Sequence, residues 1–147
     1  MDNDRVSGSA VVARFVDGRV LKGTTQDFAA QKPIFHLSFW GDPTARPIPI
    51  PVGALKALFF VRTFEGDAQH VDDRDIAKAK GPGRRIVVTF TDGEVLCGLT
   101  AGYSKDKQGF FVIPVDQEAN NARVFVVTEA VTKVEWADNP SAARVST

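Results

Sequence analysis

With one cysteine, one methionine, one tyrosine and two histidines among 147 residues, this chain has little with which to do covalent or metal chemistry. The lone Cys97 cannot close an internal disulfide. His36 and His70 have no ligand spacing around them. No glycine-rich phosphate loop, zinc-binding spacing or nucleophile elbow occurs. Charge of one sign is missing as well: 18 Lys and Arg balance 18 Asp and Glu, so no net field gathers nucleic acid or an anionic membrane. No apolar run approaches the roughly 20 residues that cross a bilayer, and residues 1–9 are too polar for a signal peptide. These absences predict a cytoplasmic protein with no enzymatic activity, cofactor or metal, and with no membrane to bind.

What the chain does have is an internal copy of itself. The eleven residues 15–25 recur 75 positions later as residues 90–100, with seven identities: Phe15/Phe90, Asp17/Asp92, Gly18/Gly93, Val20/Val95, Leu21/Leu96, Gly23/Gly98 and Thr25/Thr100. At residue frequencies of roughly one in twenty, chance does not give that agreement at a fixed offset. Repeats decide architecture before other signals do. The reading is a first repeat over 10–64, a connector over 65–84 and a second repeat over 85–137. Units this small are marginal alone, so the two are expected to share an interface.

Each repeat opens with a hairpin. β-rich residues 11–16 lead into Asp17-Gly18, a strong two-residue turn signal, and residues 20–25 follow as a second strand. Three more strands read at 34–39, 48–52 and 56–61. The second repeat gives 86–90, 95–103, 110–114, 124–127 and 131–136. In the connector, Asp72, Asp73 and Asp75 ahead of Lys78, Lys80 and Gly81 suit a short helix or a solvated linker.

Five short strands, a glycine inside the second (Gly23, Gly98) and a tight turn before the fifth resemble the Sm-like and SH3-like small barrels. The signature Phe-x-Asp-Gly-x-x-x-x-Gly also resembles a bacterial tandem-repeat family with no established activity. The resemblance implies an all-β protein of two packed five-stranded barrels. It also implies RNA binding through an Asn-bearing loop after strand two and an Arg-Gly or Lys-Gly step before strand five. This chain has neither, which makes nucleic acid an unlikely partner. The paired motifs of cyclic-dinucleotide-binding PilZ barrels are absent too, despite Arg84 and Arg85.

The copies differ where their outer faces are read by the two-residue strand period. Ala57, Phe59 and Val61 are apolar where the second repeat has Lys133, Glu135 and Ala137. Val87, Val95, Cys97 and Leu99 are apolar where the first repeat includes Lys22 and Thr24. These seven apolar residues are the expected inter-barrel interface, with contact to other chains as the other reading, and their setting makes Cys97 a buried, inert thiol. Asp17 and Asp92 are accounted for by turn chemistry.

Pro47, Pro49 and Pro51 alternate with Ile48, Ile50 and Val52, which strips hydrogen-bond donors from one strand edge. A bare polyproline segment is the other reading. The corresponding segment Arg123, Val124, Phe125, Val126 and Val127 has no proline, and is the expected edge for a protein partner or a homodimer. Trp40, Arg46, Asn120, Asn121 and Arg123 are the candidate ligand-loop residues, since an exposed Trp beside an Arg can stack a base or a peptide aromatic. The expected function is a protein-interaction or regulatory adaptor, with RNA or nucleotide binding as the alternative.

Overall fold

The computed structural model describes residues 9–41, 44, 46–61, 83–115 and 121–137, and the expected connector lies outside these except for its last two residues. The chain is all-β. Ten strands follow in order: β1 (Ser9–Phe15), β2 (Val20–Thr25), β3 (Ile34–Phe39), β4 (Ile48–Pro51), β5 (Leu55–Val61), β6 (Arg84–Phe90), β7 (Val95–Thr100), β8 (Gly109–Pro114), β9 (Asn121–Val127) and β10 (Val131–Trp136). One-turn 3₁₀ segments, Val52–Ala54 and Thr128–Ala130, join β4 to β5 and β9 to β10. All strands form one antiparallel sheet in the order β10-β6-β7-β8-β9-β5-β1-β2-β3-β4.

The second five strands pair as the first five do. Val11 opposes Phe60 as Ile86 opposes Trp136, and Phe35 opposes Ile50 as Phe110 opposes Val126. Each half turns its first hairpin on Asp-Gly, with Gly18 and Gly93 at φ of 97° and 93°. At Gly23 a Cβ would stand 2.2 Å from the Ser38 carbonyl oxygen, and at Gly98 2.2 Å from that of Ile113. Only glycine lets the second and third strands of each half approach this closely. β7 ends at Thr100, short of the expected 103. Tyr103 leaves the strand path to meet Phe110 and Trp136 edge-on, with ring centroids 4.8 and 5.5 Å away.

Two apolar cores result, one on each side of the β5–β9 pair. The first gathers Val11, Ala13 and Phe15 of β1, Phe35 and Leu37 of β3, Ile50 of β4, and Leu58 and Phe60 of β5. Bringing β3 and β4 against β5, across the β1 and β2 that separate them, requires the sheet to curl. The second core gathers Ile86, Val88, Phe90, Phe110 and Val112 with Val124 and Val126 of β9.

The halves exchange side chains across the pair. Phe125 and Val127 of β9 enter the first core, while Ala57 and Phe59 of β5 enter the second. β5, and β9 from Val124 to Val127, are therefore buried on both faces. Leu55, Ala57 and Leu58 of β5, and Val124, Phe125 and Val126 of β9, are at most 1% exposed.

Two sequence expectations are corrected here. Ala57, Phe59 and partly buried Val61 do pack on the second half, but against its interior. Val87, Val95, Cys97 and Leu99 form a separate cluster with Val115. Edge-to-edge hydrogen bonding of β5 with β9 aims Phe59 at the inside of the neighbouring half instead of its outer face. Likewise, the stretch from Arg123 to Val127 is no free edge. It pairs with β8 on one side and β5 on the other, so its intact backbone donors are spent within the molecule.

Two variants test the exchange. Phe125→Ala removes a ring that lies in the core of the other half, and should lower unfolding free energy by about 3–5 kcal/mol. Phe59→Asp places a carboxylate against apolar atoms, and should destabilise by at least about 3 kcal/mol. Denaturant titration should show one transition in each case. A small shift, or loss of only half the β signal, would contradict the shared-wall packing.

Candidate functional site

Polar contacts reinforce the apolar seam at two places. Lys56 of β5, 8% exposed, donates from Nζ to Asp92 Oδ2 at 2.7 Å and to Glu94 Oε1, both on the β6–β7 hairpin, and its ammonium lies 4.7 Å from the Phe90 ring centre. The hydrogen bond from Lys56, then that from the Glu94 amide, holds Asp92 below the usual carboxylate pKa. At the equivalent hairpin of the first half, Asp17 is served locally instead, by the amide and guanidinium of Arg19, which also lower its pKa. On the other flank, Gln108 Nε2 donates to the Ala30 and Lys32 carbonyls at 2.8 and 2.6 Å, tying the β7–β8 loop to the β2–β3 loop.

Asp27 shapes the β2–β3 loop. Its Oδ1 accepts the His36 amide at 2.9 Å and its Oδ2 lies 2.7 Å from His36 Nδ1. Partial burial pushes the Asp27 pKa up, but the His36 bonds and nearby Lys32 outweigh it and leave the group below its usual value. The anchored loop delivers Phe28 to a five-ring cluster, with centroids 5.4 Å from Phe35, 5.7 Å from Phe60, 6.2 Å from Phe111 and 4.9 Å from Phe125. Phe111 and Phe125 come from the second half. Arg123 covers this cluster, its guanidinium carbon 4.3 Å from the Phe60 centroid and 4.6 Å from that of Phe111.

The candidate ligand-loop residues are not gathered into one site. Trp40, 50% exposed, follows β3, and Arg46 precedes β4 at the end of the sheet. Asn121 and Arg123 lie on β9, across β5, β1 and β2 from that hairpin. Asn120 is outside the described residues, as are His70 and the anticipated connector helix. Sequence reasoning missed a cleft of about 470 Å³ where loops of both halves meet, lined by Pro33, Gly53, Lys105, Lys107, Thr128 and Glu129 among others. No single-repeat pattern signals it, because it exists only through the pairing of the two halves.

The two ends of the sheet are unequal. The Val52 amide donates to the Pro33 carbonyl at 2.9 Å. Alternation along the strand then turns Ile48 and Ile50 toward β3, and Pro49 and Pro51 outward. β4 therefore presents an outer edge without donors at these two positions. By the same alternation, the Ala137 amide, bonded to the Arg85 carbonyl at 3.0 Å, sets Val134 and Trp136 of β10 with their N–H and C=O groups facing away from β6. No described strand pairs on that side.

The chain belongs to DUF6982, a family of unknown function, which matches it over residues 7–137. No curated protein and no solved structure matches it.

The lowered pKa of Asp92 gives a pH prediction. A carboxylate depressed in the folded state adds stability above its unfolded pKa of about 4, and that stability is lost as pH falls through the folded value. Wild-type stability should therefore drop on acidification below about pH 5. Lys56→Met, which removes the largest cause of the depression, should flatten that part of the profile in denaturant titrations at stepped pH. An unchanged acid limb would mean that Lys56 does not hold the hairpin.

Proposed function

We propose that this member of DUF6982 is a non-enzymatic protein-interaction or regulatory adaptor built from two fused small barrels of the Sm-like and SH3-like kind. The five-strand pairing repeated in each half, and a separate apolar core enclosed by each, support the two-barrel description. The inequality of the free edges carries the interaction reading. The edge expected to take a partner is used inside the molecule, β4 is closed by proline, and β10 keeps its donors. An edge with its backbone groups intact accepts an extended segment by strand addition.

A second reading, RNA or nucleotide binding, is favoured by Lys105 and Lys107 at the mouth of the loop cleft. The two readings separate by salt and by proline. Val134→Pro copies on β10 the block that β4 carries, and it removes a donor that no described strand uses. Protein recovered from its native host should carry a protein partner that survives nuclease and is lost from the Val134→Pro variant. RNA that co-purifies with a steep salt dependence, and is lost on Lys105→Glu with Lys107→Glu, would replace the adaptor reading with the second one.

A further inference from the structure

β5 and β10 occupy corresponding places in their halves, yet β9 covers β5 and no described strand covers β10. Corresponding positions make the difference concrete. Phe28, Phe35, Leu55, Leu58 and Phe60 of the first half match Tyr103, Phe110, Val131, Val134 and Trp136 of the second. The ring contacts match as well: Phe28 on Phe35 and Phe60 is mirrored by Tyr103 on Phe110 and Trp136.

In the first half, Phe125 and Val127 of β9 fill the space beside these residues, so that Leu55 is 1% and Leu58 0% exposed. In the second half nothing described fills it. Val131, Val134 and Trp136 are half-buried, and a groove of about 310 Å³ remains, lined by Tyr103, Phe110, Val131, Thr132 and Val134 among others. The Arg84 guanidinium lies 4.0 Å from the Trp136 ring centre, as Arg123 covers Phe60 in the first half.

Resting on the adaptor reading, we propose that this groove receives an extended segment of a partner protein, seated on β10 as β9 is seated on β5. The register of β9 specifies the chemistry of the guest. Phe125 opposes Leu58, so the guest residue opposite Val134 is aromatic, with its N–H free to pair. Val127, two residues on, enters the first core, so a β-branched residue belongs two places after the guest aromatic.

The outer face of the guest meets charge. Val124 and Val126 oppose Phe59 and Ala57, whose counterparts on β10 are Glu135 and Lys133. The guest then carries a basic residue opposite Glu135 and an acidic one opposite Lys133. Read from its N-terminus, the guest is basic, aromatic, acidic, β-branched. A second copy of the chain cannot repeat the β9 arrangement through β4, because Pro49 and Pro51 stand where Phe125 and Val127 supply donors and side chains.

The test uses a fluorescein-labelled hexapeptide with Lys-Phe-Glu-Val at its centre and the full-length protein. Saturable anisotropy, a change in Trp136 emission and amide shifts at Thr132 and Val134 are expected. Replacing the peptide Phe by Pro should weaken binding at least about tenfold, through loss of a donor and a buried ring. The double variant Lys133→Glu with Glu135→Lys should reverse the preference over Glu-Phe-Lys-Val by about threefold to tenfold. The proposal is overturned by absence of binding at millimolar peptide, by binding indifferent to proline and to the charge swap, or by a β10-to-β10 homodimer that excludes the peptide. A host partner whose capture is untouched by Val134→Pro would sink the groove and leave the adaptor reading standing.

Discussion

Everything in this molecule hangs on the pairing of β5 with β9. Each strand has neighbours on both edges and contributes to both apolar cores, so it behaves as the centre of the sheet. A unit of about 60 residues gains little from its own core. Here each unit completes its core with side chains from the other, and every buried aromatic or branched side chain is worth roughly 1.5–3 kcal/mol. Lys56 on the Asp92 hairpin and Gln108 on the β2–β3 loop then fix the orientation from either flank.

The same pairing explains why the two copies diverged as they did. A strand-four edge that docks on a strand-five edge forms a contact able to repeat without end, because each docked unit presents a fresh pair of edges. The chain satisfies that contact once, within a single polypeptide, and its two leftover edges differ from the paired ones. On β4, proline replaces the counterparts of Phe125 and Val127. On β10, Lys133 and Glu135 replace the counterparts of Ala57 and Phe59. Proline removes backbone donors outright, whereas a charged face only narrows the choice of partner. One end lacks outward donors at Pro49 and Pro51, and the other keeps them at Val134 and Trp136.

Much of this was legible in the sequence. The Asp-Gly turns, the two-residue alternation and the 75-residue offset located all ten strands, and Gly23 and Gly98 marked the close approach of the second and third strands. Pro49 and Pro51 were readable as an edge block because missing donors are a local property. The partner of an intact edge is not local. Arg123 to Val127 looks the same in sequence whether β5 or another protein lies beside it, and Val87, Val95, Cys97 and Leu99 look as apolar as an interface would. Only the register between halves shows that Phe59 reaches an interior. The loop cleft was hidden for the same reason, as a consequence of where the other half sits, and the groove beside β10 stands out only by comparison with the place that β9 fills beside β5.

Native-state hydrogen exchange, followed residue by residue in increasing denaturant, tests the shared wall most directly. If β5 and β9 join two cores into one cooperative body, amides of Leu58, Phe125, Val88 and Val11 exchange only through global unfolding, with one free energy and one denaturant slope. Were the amides of β6 to β10 to exchange through a separate opening of lower energy, while those of β1 to β4 stayed protected, the halves would be independent domains and the account would fail.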